Sequence, residues 1–511
     1  MDEGALRSLV IVGGGMAGWT AASMIARKFR PGPLRITVIE SEDGGRADLL
    51  ADLPANLLDG SATPLMRKFN AALGIEENRF LAQSSGTFRL GTEFRDWREA
   101  GNVHFHGYGD YGEAIDGIAP HHFWLRLRAG GDTAPIDDWS LAYAAASRGR
   151  FAVPAGDGAR FRHGYHFDAA QHVRFLRAYA ERCGVERIDG RVVDAALEGA
   201  EGHIAAVTLA DGRVVDGEFF IDCTGFEGLL IEQVLQTGYE DWSHWLPCDS
   251  AVLAPGKRSG ALPPHAVSLA REAGWLGQAA LQHRDDWGYF YSSRFSDDDR
   301  ARAELLAAMT GEPLAQPRLL RFTSGHRRKF WNRNCLALGQ AAGFMEPLAA
   351  TALHLLQSMV LRFVEFFPDV DFAPAIAAEF NRLTLGEYER IRDFLTLHYF
   401  PSRRPEPLWH YCRNMDLPDT LVHRLEVWKA AARVTTEAQE CFQEADWVAI
   451  LLGNGIVPRR VDPIAARIDP GKVAMGMKAR RDAVVRTAHA MPTHAHYVER
   501  NCTPETSVAR T

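Results

Sequence analysis

Residues 8 to 29 read SLVIVGGGMAGWTAASMIARKF, and this stretch limits the fold more than any other part of the chain. Leu9-Val10-Ile11-Val12 is a short apolar run rich in β-branched residues, the pattern of a strand buried on both faces. Three glycines follow at once. Beyond them Ala21, Ala22, Met24, Ile25 and Phe29 recur at helical spacing, with Arg27, Lys28 and Arg30 near the end, where cations suit a helix C-terminus. Gly13, Gly15 and Gly18 therefore fit G-x-G-x-x-G between a strand and a helix. They permit a tight turn, close approach of backbone to a pyrophosphate and close helix–strand packing. A second strand, Leu34 to Ile39, ends in Glu40, 22 residues beyond Gly18, where a ribose hydroxyl wants a carboxylate. The order predicts a dinucleotide cradle and does not separate FAD from NAD.

The rest of the composition narrows the class. A chain of 511 residues with 46% hydrophobic and 24% charged residues can bury a large core, and two or three subdomains are expected. A net charge of −8 without a long basic run argues against nucleic acid or an anionic membrane as main partner. Met1-Asp2-Glu3 lacks the basic start of a signal peptide, and no apolar run is long enough to span a bilayer. The seven cysteines are scattered without a CxxC pair, so reduced thiols and a cytoplasmic location are expected. No His/Cys/Asp/Glu cluster has metal-ligand spacing.

Along the chain, Leu49, Leu50, Leu53, Leu57 and Leu58 suggest a short apolar helix or flap, and Gly60 to Pro64 opens a helix through Leu73. Thr87 to Gly91 and Val103 to Tyr108 read as strands. In the second, His104, His106 and Tyr108 alternate on one face, and hydrogen-bonded structural residues are the simpler reading of the histidines. Tyr165 to Asp168 precedes a helix, a short β unit spans Val192 to Val215, and Phe219 to Asp222 is a buried strand running into Cys223-Thr224-Gly225-Phe226. Residues 250 to 325 read as a second, mostly antiparallel sheet. Leu336 to Phe344 suggests a second strand-to-helix turn whose amides hold a flavin or an anion. A helix is expected from Ala349, and from Pro374 onward the pattern is mainly helical.

These segments together resemble the flavin-dependent tryptophan halogenases. The likeness runs from end to end and is carried by GGGMAGW (Gly13–Trp19), YHFD (Tyr165–Asp168), DCTGF (Asp222–Phe226) and WSHWLPCD (Trp242–Asp249). It continues in GYFYSSRF (Gly288–Phe295), ALGQAAGFMEPL (Ala337–Leu348), RDFLTLHY (Arg392–Tyr399), GNGIVPRR (Gly453–Arg460) and MPTHAHYVERNC (Met491–Cys502). The resemblance implies an α/β flavoprotein: a Rossmann-like FAD-binding module over residues 1–370, with an inserted antiparallel substrate sheet, and a mainly helical substrate-binding module over 371–511. It implies FAD supplied as FADH2 by a separate NAD(P)H-dependent flavin reductase, and an aromatic substrate, free or borne on a peptide. A homodimer is the oligomeric form considered. In the family, O2 and reduced flavin give a hydroperoxide that oxidises halide, and a lysine and a glutamate direct the resulting hypohalous acid.

Four departures stand out against that family. The lysine position, in Thr87-Phe88-Arg89-Leu90-Gly91, is Arg89; a guanidinium stays charged and is a very poor nucleophile. E-P-L-E-S-T reads Glu346-Pro347-Leu348-Ala349-Ala350-Thr351, so the second glutamate is Ala349, which cannot accept a proton. W-x-W-x-I-P reads Trp275-Leu276-Gly277-Gln278-Ala279-Ala280, and the G-E-A-T-x-P loop reads Gly60-Ser61-Ala62-Thr63-Pro64. Three readings follow: oxygenation of an aromatic, indole-type substrate; halogenation with unusual tunnel residues and a halide ion; or a flavin-binding partner or sensor without catalysis. The resemblance and the motifs select Gly13, Gly15, Gly18, Glu40, Thr63, Gly225, Gly339 and Gly343 for FAD. They select Arg89, Trp275 and Thr351 for the reaction, and His106, Tyr108 and Trp447 for the aromatic substrate.

Overall fold

A computed structural model describes residues 4–41, 60–153, 161–436 and 440–503. The apolar segment expected between Leu49 and Leu58 lies outside the described residues. Two compact units account for the chain. The first joins Met1–Ser85, Phe167–His244 and Leu320–Glu389; the second joins Gly86–His166, Trp245–Leu319 and Arg390–Thr511. Compactness thus divides the chain differently from the expected sequential modules 1–370 and 371–511. The cause is strand pairing across long separations: Gly91–Arg95 runs parallel to Ala266–Arg271, with Ala266 opposite Thr92 and Leu269 opposite Arg95.

In the first unit an open sheet carries the strands in the order Trp331–Asn332, Cys335–Ala337, Phe219–Asp222, Ser8–Val12, Arg35–Glu40 and Glu186–Asp189. All neighbours run parallel except the first pair. Leu9, Val10 and Ile11 are buried, as a strand covered on both faces must be, and burying each such side chain stabilises the fold by about 2 kcal/mol. Helix Met16–Phe29 packs on helices Ala169–Arg182 and Thr351–Glu365. The expected β unit is a three-stranded antiparallel sheet of Val192–Glu198, His203–Leu209 and Val214–Asp216. The expected second strand-to-helix turn differs: strand Cys335–Ala337 leads into a single 3-10 turn, Gly339–Ala341, and then strand Gly343–Phe344. The helix starts only at Thr351, because Pro347 and the left-handed backbone of Ala350 (φ 58°) interrupt the chain before it.

The second unit is built on the expected antiparallel sheet. Ser250–Lys257, Arg284–Tyr291, Gly274–Ala280 and Ala266–Arg271 pair antiparallel in that order, and Gly91–Arg95 and Val103–Gly107 extend it. Leu276, Trp287, Tyr289 and Tyr291 pack its face against Ala301 and Leu305 of helix Asp298–Ala308. Helix Glu444–Gly453 lies against strand Val103–Gly107, and helix Pro470–Ala490 against helices Pro120–Ala129 and Leu141–Ala146. The boundary between units falls inside helix Pro374–Tyr399.

Candidate functional site

The glycine turn of the first unit separates three physical roles. Gly13 adopts φ +113°, and a Cβ there would stand 2.3 Å from the Cys223 carbonyl oxygen. At Gly18 a Cβ would stand 1.9 Å from the Gly13 carbonyl oxygen, so this glycine sets how closely the helix approaches the strand. At Gly15 a Cβ would meet nothing within 4 Å. That residue faces open space at the start of helix Met16–Phe29, which has no side-chain cap and no acid in its first turn. Its leading amides and the positive end of its dipole are left for an anion. The cradle fits a pyrophosphate on this observation. A fourth glycine, Gly14, is fixed by a contact sequence reasoning missed: a Cβ there would collide with the Glu40 carboxylate at 1.9 Å.

Glu40 leans across this turn and is held from two sides. Trp19 Nε1 donates to Oε2 at 3.0 Å, while Arg177 Nη1 lies 3.0 Å from Oε1 and Arg187 Nε donates to the same oxygen. A ribose hydroxyl fits here as a further donor to Oε2. Gly225 (φ +70°) opens the turn after Phe219–Asp222. Gly339 (φ +63°) opens the turn after Cys335–Ala337, and a Cβ there would stand 2.8 Å from the Ala17 methyl. Both lie at the carboxyl ends of parallel strands, where ligands of open α/β sheets bind. Gly343 differs: a Cβ there would stand 2.6 Å from the Gly325 carbonyl, so it is needed for sheet pairing. Asp222 is fully buried and accepts from the amides of Thr224, Leu230 and Ile231 at 2.7–2.9 Å, tying the turn down. Nothing in the local sequence signals that role.

Thr63 belongs to a buried chain of polar groups in the same unit. Its Oγ1 lies 3.2 Å from His354 Nδ1, and His354 Nε2 lies 3.0 Å from Glu387 Oε1. Glu387 Oε2 also accepts from Ser358 at 2.8 Å and from Arg362 Nη2 at 2.9 Å. One turn before His354, helix Thr351–Glu365 begins without a side-chain cap and without an acid in its first turn. The Thr351 hydroxyl is fully buried and has no partner among the described residues. Ala349 and Ala350 are buried beside it, and the left-handed Ala350 costs about 1 kcal/mol relative to ordinary backbone.

In the second unit, Arg89 ends strand Thr87–Arg89, which pairs antiparallel with Gly164–His166. Arg89 is 2% exposed. Nη2 donates to Thr92 Oγ1 at 2.6 Å, whereas Nε and Nη1 have no partner among the described residues. Its Cζ lies 5.3 Å from the centroid of the Tyr108 ring. Burial pushes the Arg89 guanidinium down from its ordinary value, with Tyr108 opposing. Burial pushes the Tyr108 phenol up to about 12, with Arg89 pulling it back. The Tyr108 hydroxyl also lacks a partner.

His106 and Trp447 join this neighbourhood through aromatic packing. The His106 and Tyr108 rings are 6.1 Å apart, His106 lies 5.3 Å from Phe394, and Phe394 meets Trp447 edge-on at 5.1 Å. His106 Nε2 lies 2.9 Å from Asp446 Oδ1. Arg424 Cζ sits 4.0 Å over the Trp447 ring, a strong cation–π geometry. Asp446 and Arg424 were not selected from the sequence; 340 residues separate His106 from its partner, and no local pattern spans that gap. Trp275 stands apart. It stacks on Phe290 at 4.3 Å and contacts Trp97 at 6.4 Å, at the opposite end of its strand from Ala280, whose carbonyl accepts from Thr87.

The open parallel sheet, the three-role glycine turn and the acid after the second strand define a dinucleotide-binding protein. The chain belongs to the tryptophan halogenase family, whose model matches residues 8–470. BrvH, a flavin-dependent halogenase from Brevundimonas sp. BAL3, is similar at 37% identity with a TM-score of 0.92, over 98% of this chain and 99% of that one. Xcc4156, a flavin-dependent halogenase from Xanthomonas campestris, is similar at 37% identity with a TM-score of 0.93, over the same shares. Tryptophan 7-halogenase RebH of Lentzea aerocolonigenes is 28% identical over 505 residues, 91% of this chain and 93% of that protein. Membership makes the protein an FAD-dependent oxidoreductase that modifies an aromatic substrate. No described helix is long and apolar enough to cross a membrane.

Proposed function

We propose that this protein uses FADH2 from a separate NAD(P)H-dependent reductase, together with O2, to oxygenate an aromatic, indole-type substrate. The balance is ArH + O2 + FADH2 → ArOH + H2O + FAD. Bound reduced flavin supplies the two electrons that activate O2. The chain's own residues supply the rest: Gly15 and the first amides of helix Met16–Phe29 hold the pyrophosphate, Glu40 the ribose, and the aromatic group around His106, Tyr108 and Trp447 receives the substrate ring.

One observation carries the choice of oxygenation. The positions aligned with the family's lysine and glutamate are Arg89 and Ala349, both buried. A guanidinium remains protonated and does not form a lasting bond to an electrophilic halogen, and a methyl group takes no proton from the ring. The remaining machinery is that of an oxygen-activating flavoprotein without a device for directing halogen. A reductase-coupled reaction on indoles and phenols, analysed by mass, is the test. Products heavier by one oxygen support the reading, and hydrogen peroxide alone from every substrate sinks it.

Halogenation is the second reading, favoured by the uncapped helix start at Thr351 with its buried, partnerless hydroxyl, where a halide would find free amides. Both relatives at 37% identity bear that description. Brominated product in the same assay decides for it.

A further inference from the structure

We propose that Arg89 and Tyr108 form a buried anion-binding site for the carboxylate of the substrate, so that this protein selects aromatic acids over their neutral analogues. The word substrate rests on the function proposed above; the anion site is tested without turnover.

Arg89 carries an unbalanced buried charge. Arg89 is 2% exposed and Tyr108 is 4% exposed. Among the described residues the only hydrogen-bond partner of the guanidinium is the neutral hydroxyl of Thr92. A protonated arginine cannot escape the cost of burial by losing its proton, so it needs a counter-charge or a full set of acceptors. The described residues provide neither. Asp446, which faces the same tyrosine, is committed: Oδ1 lies 2.9 Å from His106 Nε2, and Oδ2 accepts from the Gln443 amide at 2.7 Å. His166, close enough to feel Arg89, is itself kept neutral by burial and then by that charge. The Tyr108 ring gives the cation a π face at 5.3 Å, which offsets part of the charge and leaves the in-plane N–H donors of Nε and Nη1 empty.

The shape of the missing ligand follows from the donors. Two guanidinium nitrogens of Arg89 and the phenol hydroxyl of Tyr108 are buried without a partner among the described residues, and the guanidinium carbon lies 5.3 Å from the centre of the tyrosine ring. A carboxylate has two oxygens and lone pairs enough to accept from both residues, and a charge-assisted bond to arginine is the strong kind. Beside the tyrosine lies His106; beyond it Phe394 and Phe442 pack on the imidazole and stack on each other at 3.7 Å, and Trp447 meets Phe394. An anion anchored on Arg89 therefore has aromatic surface next to it, which suits an acid carried on a ring. A halide is the competing occupant, smaller and without a second acceptor atom.

The test is equilibrium binding to the full chain, without flavin or reductase, using indole-3-acetate, indole-3-acetamide and bromide as probes. Wild type is expected to bind the acetate at least tenfold more tightly than the amide. Arg89→Gln abolishes that preference without weakening amide binding, Arg89→Lys retains part of it, and Tyr108→Phe reduces it several-fold. Equal binding of acetate and amide to wild type overturns the proposal, as does an acid preference that survives in R89Q. Saturable bromide binding that disappears in R89Q, with no acid preference in wild type, overturns it in favour of a halide. Should R89Q fail to fold, the acetate-to-amide ratios of wild type and Y108F decide. A brominated turnover product with the acid preference intact would refute the proposed oxygenation alone.

Discussion

His354 Nε2 lies 3.0 Å from Glu387 Oε1, and this contact settles which ring nitrogen carries the proton. A carboxylate accepts and does not donate, so Nε2 is the N–H. The other ring nitrogen, Nδ1, lies 3.2 Å from Thr63 Oγ1. Burial works to raise the Glu387 pKa, but His354 and Arg362 outweigh it and hold the carboxyl at about 2, below the ordinary 4.5.

A depressed carboxylate stabilises the fold at pH values above its unfolded pKa, and that contribution is lost as pH falls from 4.5 toward 2. The contribution is about 3 kcal/mol at neutral pH. Glu387→Gln should therefore lower the melting temperature clearly at pH 7, and the gap to wild type should narrow as pH falls below 4.5. Thermal melts of both proteins at a series of pH values check this; a gap that is constant with pH contradicts it.

Gly15 and Gly18 should fail in opposite ways. Gly15→Ala adds a methyl where nothing lies within 4 Å, so the melting temperature without flavin should stay within a degree or two while FAD affinity falls at least tenfold. Gly18→Ala drives a methyl to 1.9 Å from the Gly13 carbonyl and should destabilise the protein by about 2 kcal/mol or more. Melting without flavin, together with quenching of flavin fluorescence on titration, separates the two outcomes.

Asp137 carries the reverse pH signature from Glu387. Burial raises its carboxyl to about 7, against the pull of the Phe105 amide, which donates to Oδ2 at 3.3 Å. The folded chain then holds a proton that the unfolded chain releases near 3.8, so this contribution is full below 3.8 and is lost as pH rises through 7. Asp137→Asn keeps an acceptor for Phe105 and removes the titration. Relative to wild type, its melting temperature should rise between pH 5 and pH 8, by an amount corresponding to a few kcal/mol (about 3).

Features set by neighbouring residues were legible in the sequence. The strand Ser8–Val12, the helix Met16–Phe29 and the strand ending at Glu40 follow from a β-branched run, a glycine turn and helical periodicity. The cradle was readable because Gly18 answers to the Gly13 carbonyl and Gly14 to Glu40, contacts made inside one βαβ unit, whereas Gly13 answers to Cys223 from far along the chain. Partnerships over long separations were not. Asp446 meets His106 from 340 residues away, and Glu387 meets His354 from 33. The pairing of Gly91–Arg95 with Ala266–Arg271 splits each compact unit into three segments, which no single composition shift announces. Trp275 stood out by resemblance, yet its ring is occupied by Phe290 and Trp97, contacts that periodicity does not reveal. The strain at Ala350 was hidden too, because alanine carries no signal for left-handed backbone.

We propose that this chain delivers oxygen and not halogen to the ring. A reductase-coupled reaction on an indole acid under 18O2 with bromide present, read by product mass, is the direct test. The expected product gains one 18O atom and lacks the paired bromine isotope pattern. A brominated product without 18O would contradict it.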